Sequence, residues 1–578
     1  MTVRSVGGSR RGRRVLGLVA LGVAAAIAVA SVTRPAAAET KKDWKVGAKR
    51  IDDLVSRRLA GEKDLVVAPV SDDAEFLRRV TLDLTGTIPS EAETTAFLHD
   101  PSADKRATLV DRLLASPQHG EWFATWYSNL LVGTSIRDRN MNRRTFNDWM
   151  RDQWGKNRPY DEMVYDLMTA TGNSDQNGAV GLVSSFDTSA ADAAGKTSRY
   201  FLGVQIQCAQ CHDHPYDKRI KQEDFQAYAA FFFTTTVRRN QTPGNNEISF
   251  DVASFSKDDL LAGYRGGRGM AGRIGQPLRL EAAVKGKRPP PMGEVADAKF
   301  LLGKTIKDPP GLTRREVLAK WVTSKSNEWF SAAFANRMWA YFTGRGIVHP
   351  VDDFSAANKP ADPELLKALA DEFARADFDV NHLCRVICAT DVYQRTSKMP
   401  RNLERPDPSL WAVGAVRPLT VEQSLNALLR ASGKADDDAR RTRDRGMGMD
   451  MAAKGRGMLV DPRMLFYQLF RRSFQDDEAV ESEEFTGTIP RGLLMMNGPQ
   501  VNAMLAATPG SPLGQILATE KSDREAVRRV YLTVLSRDAS VPELKRALDH
   551  VHTSRGRQEG YEDLFWALCN TTEFMSNH

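Results

Sequence analysis

The chain of 578 residues sets 80 lysines and arginines against 73 aspartates and glutamates, a formal net charge of +7. Residues 1–38 contain six arginines and no acid, so the remainder carries about +1, and bulk charge gives no reason to expect a nucleic-acid partner. Roughly 540 residues beyond that segment exceed one ordinary hydrophobic core, so two or three domains are expected.

The N-terminal "MTVRSVGGSRRGRR" holds five arginines and is followed by eighteen apolar or small residues, "VLGLVALGVAAAIAVASV", and then by "TRPAAAET". A charged segment, an apolar segment and an Ala-x-Ala end are the features of a secretory signal, with cleavage expected after Ala38. Eighteen residues also reach the lower length of an uncleaved anchor, but this Ala/Gly-rich run is weakly hydrophobic. The expected location is the periplasm or another extracytoplasmic compartment. No other segment is long and apolar enough to span a membrane, so no membrane span is expected after cleavage.

Beyond the signal the chain reads as mainly α. Two helical blocks, 39–240 and 313–578, are joined by a Gly/Pro-rich connector at 241–312 with a minor β element. In "DAEFLRRVTLDL", Phe76, Leu77, Val80 and Leu84 recur at helical spacing, and Ser90 with Glu93 forms a capping-box pair ahead of the next helix. "DKRATLVDRLLAS" and "EWFATWYSNLLVG" continue the pattern, with Pro117 and Gly120 read as the break between them. A short helix over 161–168 follows, then an apolar stripe of Phe225, Tyr228, Ala229 and Phe232. In the connector, "GGRGMAGRIGQ" and "GKRPPPMGE" are turn-rich, and "NEISFDV" alternates as a short strand does. The second block opens on a Thr313/Glu316 capping box. It runs through "FSAAFANRMWAYFTG", "PELLKALADEFARA", "VNHLCRVICATDVYQR", a helix pair in "TIPRGLLMMNGPQVNAML" and "DREAVRRVYLTVLSR". No internal repeat is expected.

Chemistry concentrates in "TSRYFLGVQIQCAQCHDHPYDKR", residues 197–219. Of five cysteines and nine histidines in the whole chain, Cys208, Cys211, His212 and His214 fall within seven residues. C-x-x-C-H is the spacing of c-type haem attachment. If residues 208–212 are helical, Cys208, Cys211 and His212 share a face at i, i+3 and i+4. Two thiols then bond the haem vinyls while the neighbouring imidazole ligates the iron. The alternative is zinc or another transition metal, with Cys208 and Cys211 as a half-site and His212 or His214 as a further ligand. A second pair for that site comes only from far away, as from His382, Cys384 and Cys388. A redox dithiol lacks the βαβ context such motifs have.

Candidates for a sixth iron ligand are His119, His349, His382 and the methionines Met447, Met449 and Met451. Cys384 and Cys388 lie at i, i+4 on an amphipathic helix, a poor geometry for a disulfide, and are read as packed thiols. The stretch "GRGIVHPVDDFSAANKP" gathers Arg345, His349, Asp352 and Asp353. Metal binding or acid/base work is one reading of it, and turn and N-cap chemistry before the helix at Pro363 is the favoured one. No G-x-S-x-G, P-loop or H-E-x-x-H is present.

"FLGVQIQCAQCHDHPYDK", "RRVTLDLTGTIPSEAETTAFLHD" and "DRLLASPQHGEWFATWYSNLL" resemble the planctomycete cytochrome C-like domain of unknown function. "NEWFSAAFANRMWAYFTGRGIVHPVDDF", "PELLKALADEFARADFDVNHLCRVI" and "TGTIPRGLLMMNGPQVN" resemble the partner domain of unknown function that usually follows it. The resemblance supports one haem c on Cys208, Cys211 and His212, and many relatives are envelope proteins; with the motif and the export signal, the expected role is electron transfer or haem-linked redox with an unknown redox or envelope partner. The competing class is a non-haem binding or scaffold protein whose cluster is a metal site.

Overall fold

A computed structural model describes residues 43–133, 141–186, 188–241, 248–256, 276–277, 297–307, 311–400, 402–434 and 489–578. The signal segment, most of the connector and Met447, Met449 and Met451 lie outside the described residues. The fold is mainly α, as expected, with a few short strands.

Local sequence explains where the helices begin. Asp72 caps the Asp73–Thr85 helix by accepting the N–H of Glu75, and the capping boxes at Ser90/Glu93 and Thr313/Glu316 both form. Pro117 stands at the first turn of the Pro117–Val132 helix, where its missing N–H costs nothing. Gly120 therefore lies inside that helix and does not interrupt it. A Cβ there would sit 2.7 Å from the Cα of Gly155, so this glycine lets the Pro117–Val132 and Arg143–Gly155 helices touch backbone to backbone. The stripe of Phe225, Tyr228, Ala229 and Phe232 is buried throughout.

The β element is a four-stranded antiparallel sheet in the order Gly172–Asn173, Ile248–Ser254, Thr235–Gln241, Gln276–Pro277. Its two long strands pair from Thr235 opposite Ser254 to Gln241 opposite Ile248. The alternation expected of "NEISFDV" is that of a strand over its described part, Ile248 onward, with Phe250 and Val252 buried.

The two helical blocks do not keep separate cores. Lys42–His578 is one compact unit, and its larger core takes Ile51, Phe76, Tyr127 and Phe201 from the first block with Trp339, Phe373, Ile387 and Tyr393 from the second. A smaller core around Val527, Val530 and Phe565 takes Leu82 and Ile88 from the first block.

A repeat that periodicity alone does not reveal joins the two cores. A two-helix unit occurs twice at a constant offset of 450 residues. Asp73, Glu75, Arg78, Arg79, Val80, Leu82, Ser90, Glu93 and Leu98 recur as Asp523, Glu525, Arg528, Arg529, Val530, Leu532, Ser540, Glu543 and Leu548. The structure follows the sequence. Helices Asp73–Thr85 and Asp523–Leu535 have equal length, and each ends on a left-handed residue, Gly86 at φ +67° and Ser536 at φ +60°. Each next helix opens on its own capping box, Ser90/Glu93 or Ser540/Glu543. The copies touch: Arg529 pairs with Glu91 at 2.5 and 3.1 Å, and Arg78 donates to the carbonyl of Val534 at 3.1 Å.

Candidate functional site

The Cys/His cluster lies between the helices Ala190–Leu202 and Gln222–Ala229. The first helix stops at Gly203, whose φ of +70° closes it in the left-handed region. Gln207–Gln210 then form a single 3₁₀ turn, and Cys211 ends it. The α-helical face expected for residues 208–212 is not what forms. A 3₁₀ turn instead brings residues three apart into near-eclipse, which suits Cys208 and Cys211, and His212 follows outside it. Ile206 and Ala209 are fully buried and pin the turn, so Cys208, Cys211 and His212 stand exposed. Both cysteines are free thiols.

The two histidines are in opposite states. His212 Nδ1 lies 2.7 Å from the carbonyl oxygen of Asp213. A carbonyl only accepts, so Nδ1 carries the proton and the lone pair of the exposed ring is on Nε2. His214 is buried, and its Nδ1 accepts the backbone N–H of Asp217 at 2.9 Å and of Tyr216 at 3.3 Å. Its backbone N–H donates to the carbonyl of Ile220 at 3.0 Å, closing the loop on itself. His214 thus serves as an internal strut.

Asp217, which the sequence reading passed over, is the other fixed point. Fully buried, it accepts three N–H groups of Arg219, from the backbone at 3.1 Å, Nε at 2.9 Å and Nη2 at 2.6 Å, and the N–H of Ala356 at 3.0 Å. The Arg219 bonds hold its carboxyl well below the usual range, at about 2. An acid two residues before an arginine, in "DKR", is the local signal for the Arg219 pair, whereas the contact with Ala356 leaves no trace in sequence. Asp213 fastens the far end of the loop by accepting from Gln222 N and Lys221 Nζ.

The remaining candidates are engaged elsewhere. His119 is buried, with Nδ1 at 2.9 Å from the carbonyl of Leu84 and Nε2 at 3.0 Å from Asn381. His382 Nε2 meets Glu372 at 2.7 Å in the core. Cys384 and Cys388 are buried and unbridged, and burial pushes both thiols up strongly. They pack as core side chains beside Leu383, Val386 and Ile387. In the "VDDF" loop, Asp352 is buried between Arg199 and Arg337, which makes it an ion-pair anchor. Asp362 caps the helix that begins at Pro363. Among the described residues, no three His, Cys, Asp or Glu side chains converge on a point where a metal could sit. No helix among them is long and apolar enough to cross a membrane.

Fold and site together define a two-part helical protein that presents an exposed C-x-x-C-H turn over a shared core. A family model described as PSCyt2, a protein of unknown function (DUF1549), matches residues 50–237, and one described as PSD1, a protein of unknown function (DUF1553), matches residues 314–551. The chain belongs to the family of proteins that carry these two domains in this order. No curated protein and no solved structure matches it.

Proposed function

We propose that the chain is an exported c-type cytochrome-like protein that binds one covalent haem and works in electron transfer or haem-linked redox with another envelope protein. One observation carries this reading. The two thiols of the C-x-x-C-H turn are free and exposed, and the adjacent imidazole has its Nδ1 committed to a backbone carbonyl with Nε2 unengaged. That is the donor set a covalent haem requires, and the residues present fit it. Cys208 and Cys211 would hold the group through thioethers, and His212 Nε2 would ligate its iron. The Asp213 carbonyl fixes the ring's tautomer and orientation. When bound, the group supplies an iron that takes up and releases one electron.

A zinc or other transition-metal site would draw on the same two thiols with His212 or His214. It lacks support from the buried second pair, since His382 is paired with Glu372, and His214 Nδ1 is occupied by backbone donors. The absorption spectrum of the protein exported from a host with haem-attachment machinery tests the proposal. Sharp haem bands in stoichiometric amount are expected. A colourless protein with stoichiometric zinc would replace the haem reading by the metal one.

A further inference from the structure

The chain on either side of the C-x-x-C-H turn is fastened to one short loop of the PSD1 domain. On the N-terminal side, Phe354 N donates to the carbonyl of Gly203 at 2.9 Å. The Phe354 ring fills the space beside Gly203 so closely that a Cβ there would lie 2.6 Å from Cδ2, and the positive φ of this residue independently favours glycine. One turn earlier, Arg199 Nε donates to Asp352 at 3.1 Å, and Arg337 holds the same carboxylate from the other side. On the C-terminal side, Ala356 N donates to the buried Asp217, to whose own N–H the strut His214 is bonded.

We infer that residues 352–356 are a positioning clamp for the cluster. Asp352, Phe354 and Ala356 alternate along that stretch, and each takes one strap, two before Cys208 and one after His212. The exposed turn itself has few buried contacts, Ile206 and Ala209 apart, so its shape depends on where its two ends are held. A PSCyt2 domain alone lacks the partner atoms for all three straps. The clamp rests on these contacts alone and holds whether the cluster takes haem, a metal or neither.

The test compares the full chain with Ala356→Pro, which deletes one N–H at an exposed position, with Asp217→Asn, which removes the charge that Arg219 and Ala356 share, and with Asp353→Asn as control. Amide hydrogen exchange is read at His214, Asp217 and Ile220, alongside the rate at which Cys208 and Cys211 take a maleimide. In Ala356→Pro and Asp217→Asn these amides are expected to exchange at least about tenfold faster, the scale of one lost charge-assisted bond. Exchange in the 523–553 hairpin and in the control is expected to stay unchanged. Unaltered exchange at all three amides, with the 523–553 hairpin still protected, would overturn the clamp. Loosened amides in a protein whose wild type takes no haem would keep the clamp and reject the haem proposal.

Discussion

Arg78 donates from Nη2 to the carbonyl oxygen of Phe574 at 2.9 Å, although 496 residues separate them in the chain. Its Nη1 reaches the carbonyl of Val534, so one buried guanidinium joins the first copy of the repeated helix pair to the second copy and to the C-terminal turn. Burial lowers this guanidinium to about 10, and it remains charged at neutral pH. Replacing it strands two buried carbonyls. Arg78→Met is expected to lower the stability of the whole chain by about 3 kcal/mol, measured by denaturant unfolding. Because the two cores share helix Asp73–Thr85, unfolding should remain a single transition.

The five thiols divide by burial. Cys208 and Cys211 are exposed, whereas burial pushes Cys384, Cys388 and Cys569 well above the ordinary thiol range. The thiolate is the reacting form, so two thiols of the folded, haem-free protein should label rapidly at neutral pH and three only after unfolding. Mass spectrometry of the labelled protein reads the count.

Covalent haem survives denaturation, so a haem-stained denaturing gel of protein co-expressed with a haem-attachment system should show one band. Alanine at both Cys208 and Cys211 should abolish the stain. His212→Ala should shift the iron's absorption bands more than it lowers the yield, and Cys384→Ala or Cys388→Ala should leave haem content unchanged.

His214 separates a strut from a ligand. His214→Asn keeps an acceptor for the N–H of Asp217, whereas His214→Ala removes it. Asparagine should retain the haem yield or metal content of the wild type and alanine should lower it. Equal loss in both variants, read by metal analysis, would mark His214 as a ligand.

Asp52 gives a pH dependence with a definite sign. Burial and the neighbouring Asp391 carboxylate raise it from 3.8 to about 7. The folded state therefore holds this proton more tightly than the unfolded one, and the group's contribution declines as pH rises from about 4 to about 7. An asparagine in its place would keep an acceptor for the Asp391 N–H, which Asp52 now takes at 2.9 Å, without the charge. With part of the effect screened by solvent, Asp52→Asn is expected to stabilise the protein by about 1 kcal/mol at pH 8 and by nothing at pH 4, read from melting temperatures at the two pH values.

Local spacing was enough to read most of the elements and the inventory of the site. The caps at Ser90 and Thr313, the stripe from Phe225 to Phe232, the strand in "ISFDV" and the C-x-x-C-H turn are all local, because helices, strands and short motifs are written in spacings of a few residues. Which side chains are available depends on packing between distant segments. His212 and His214 look interchangeable in "CHDHPYD", and they part because the carbonyl of Asp213 takes one imidazole's proton while the backbone N–H of Asp217 takes the other's lone pair. The identities of the 450-residue repeat are scattered among ordinary helix residues, and what marks it in the structure is a pair of left-handed helix ends and a pair of capping boxes at one offset. Asp352 stands beside Asp353 in sequence, and the distant Arg199 and Arg337 make it an ion-pair anchor. The contacts that hold the cluster join residues more than a hundred positions apart, and such pairs are selected by the packing of the shared core, a sum over many side chains that no local spacing records.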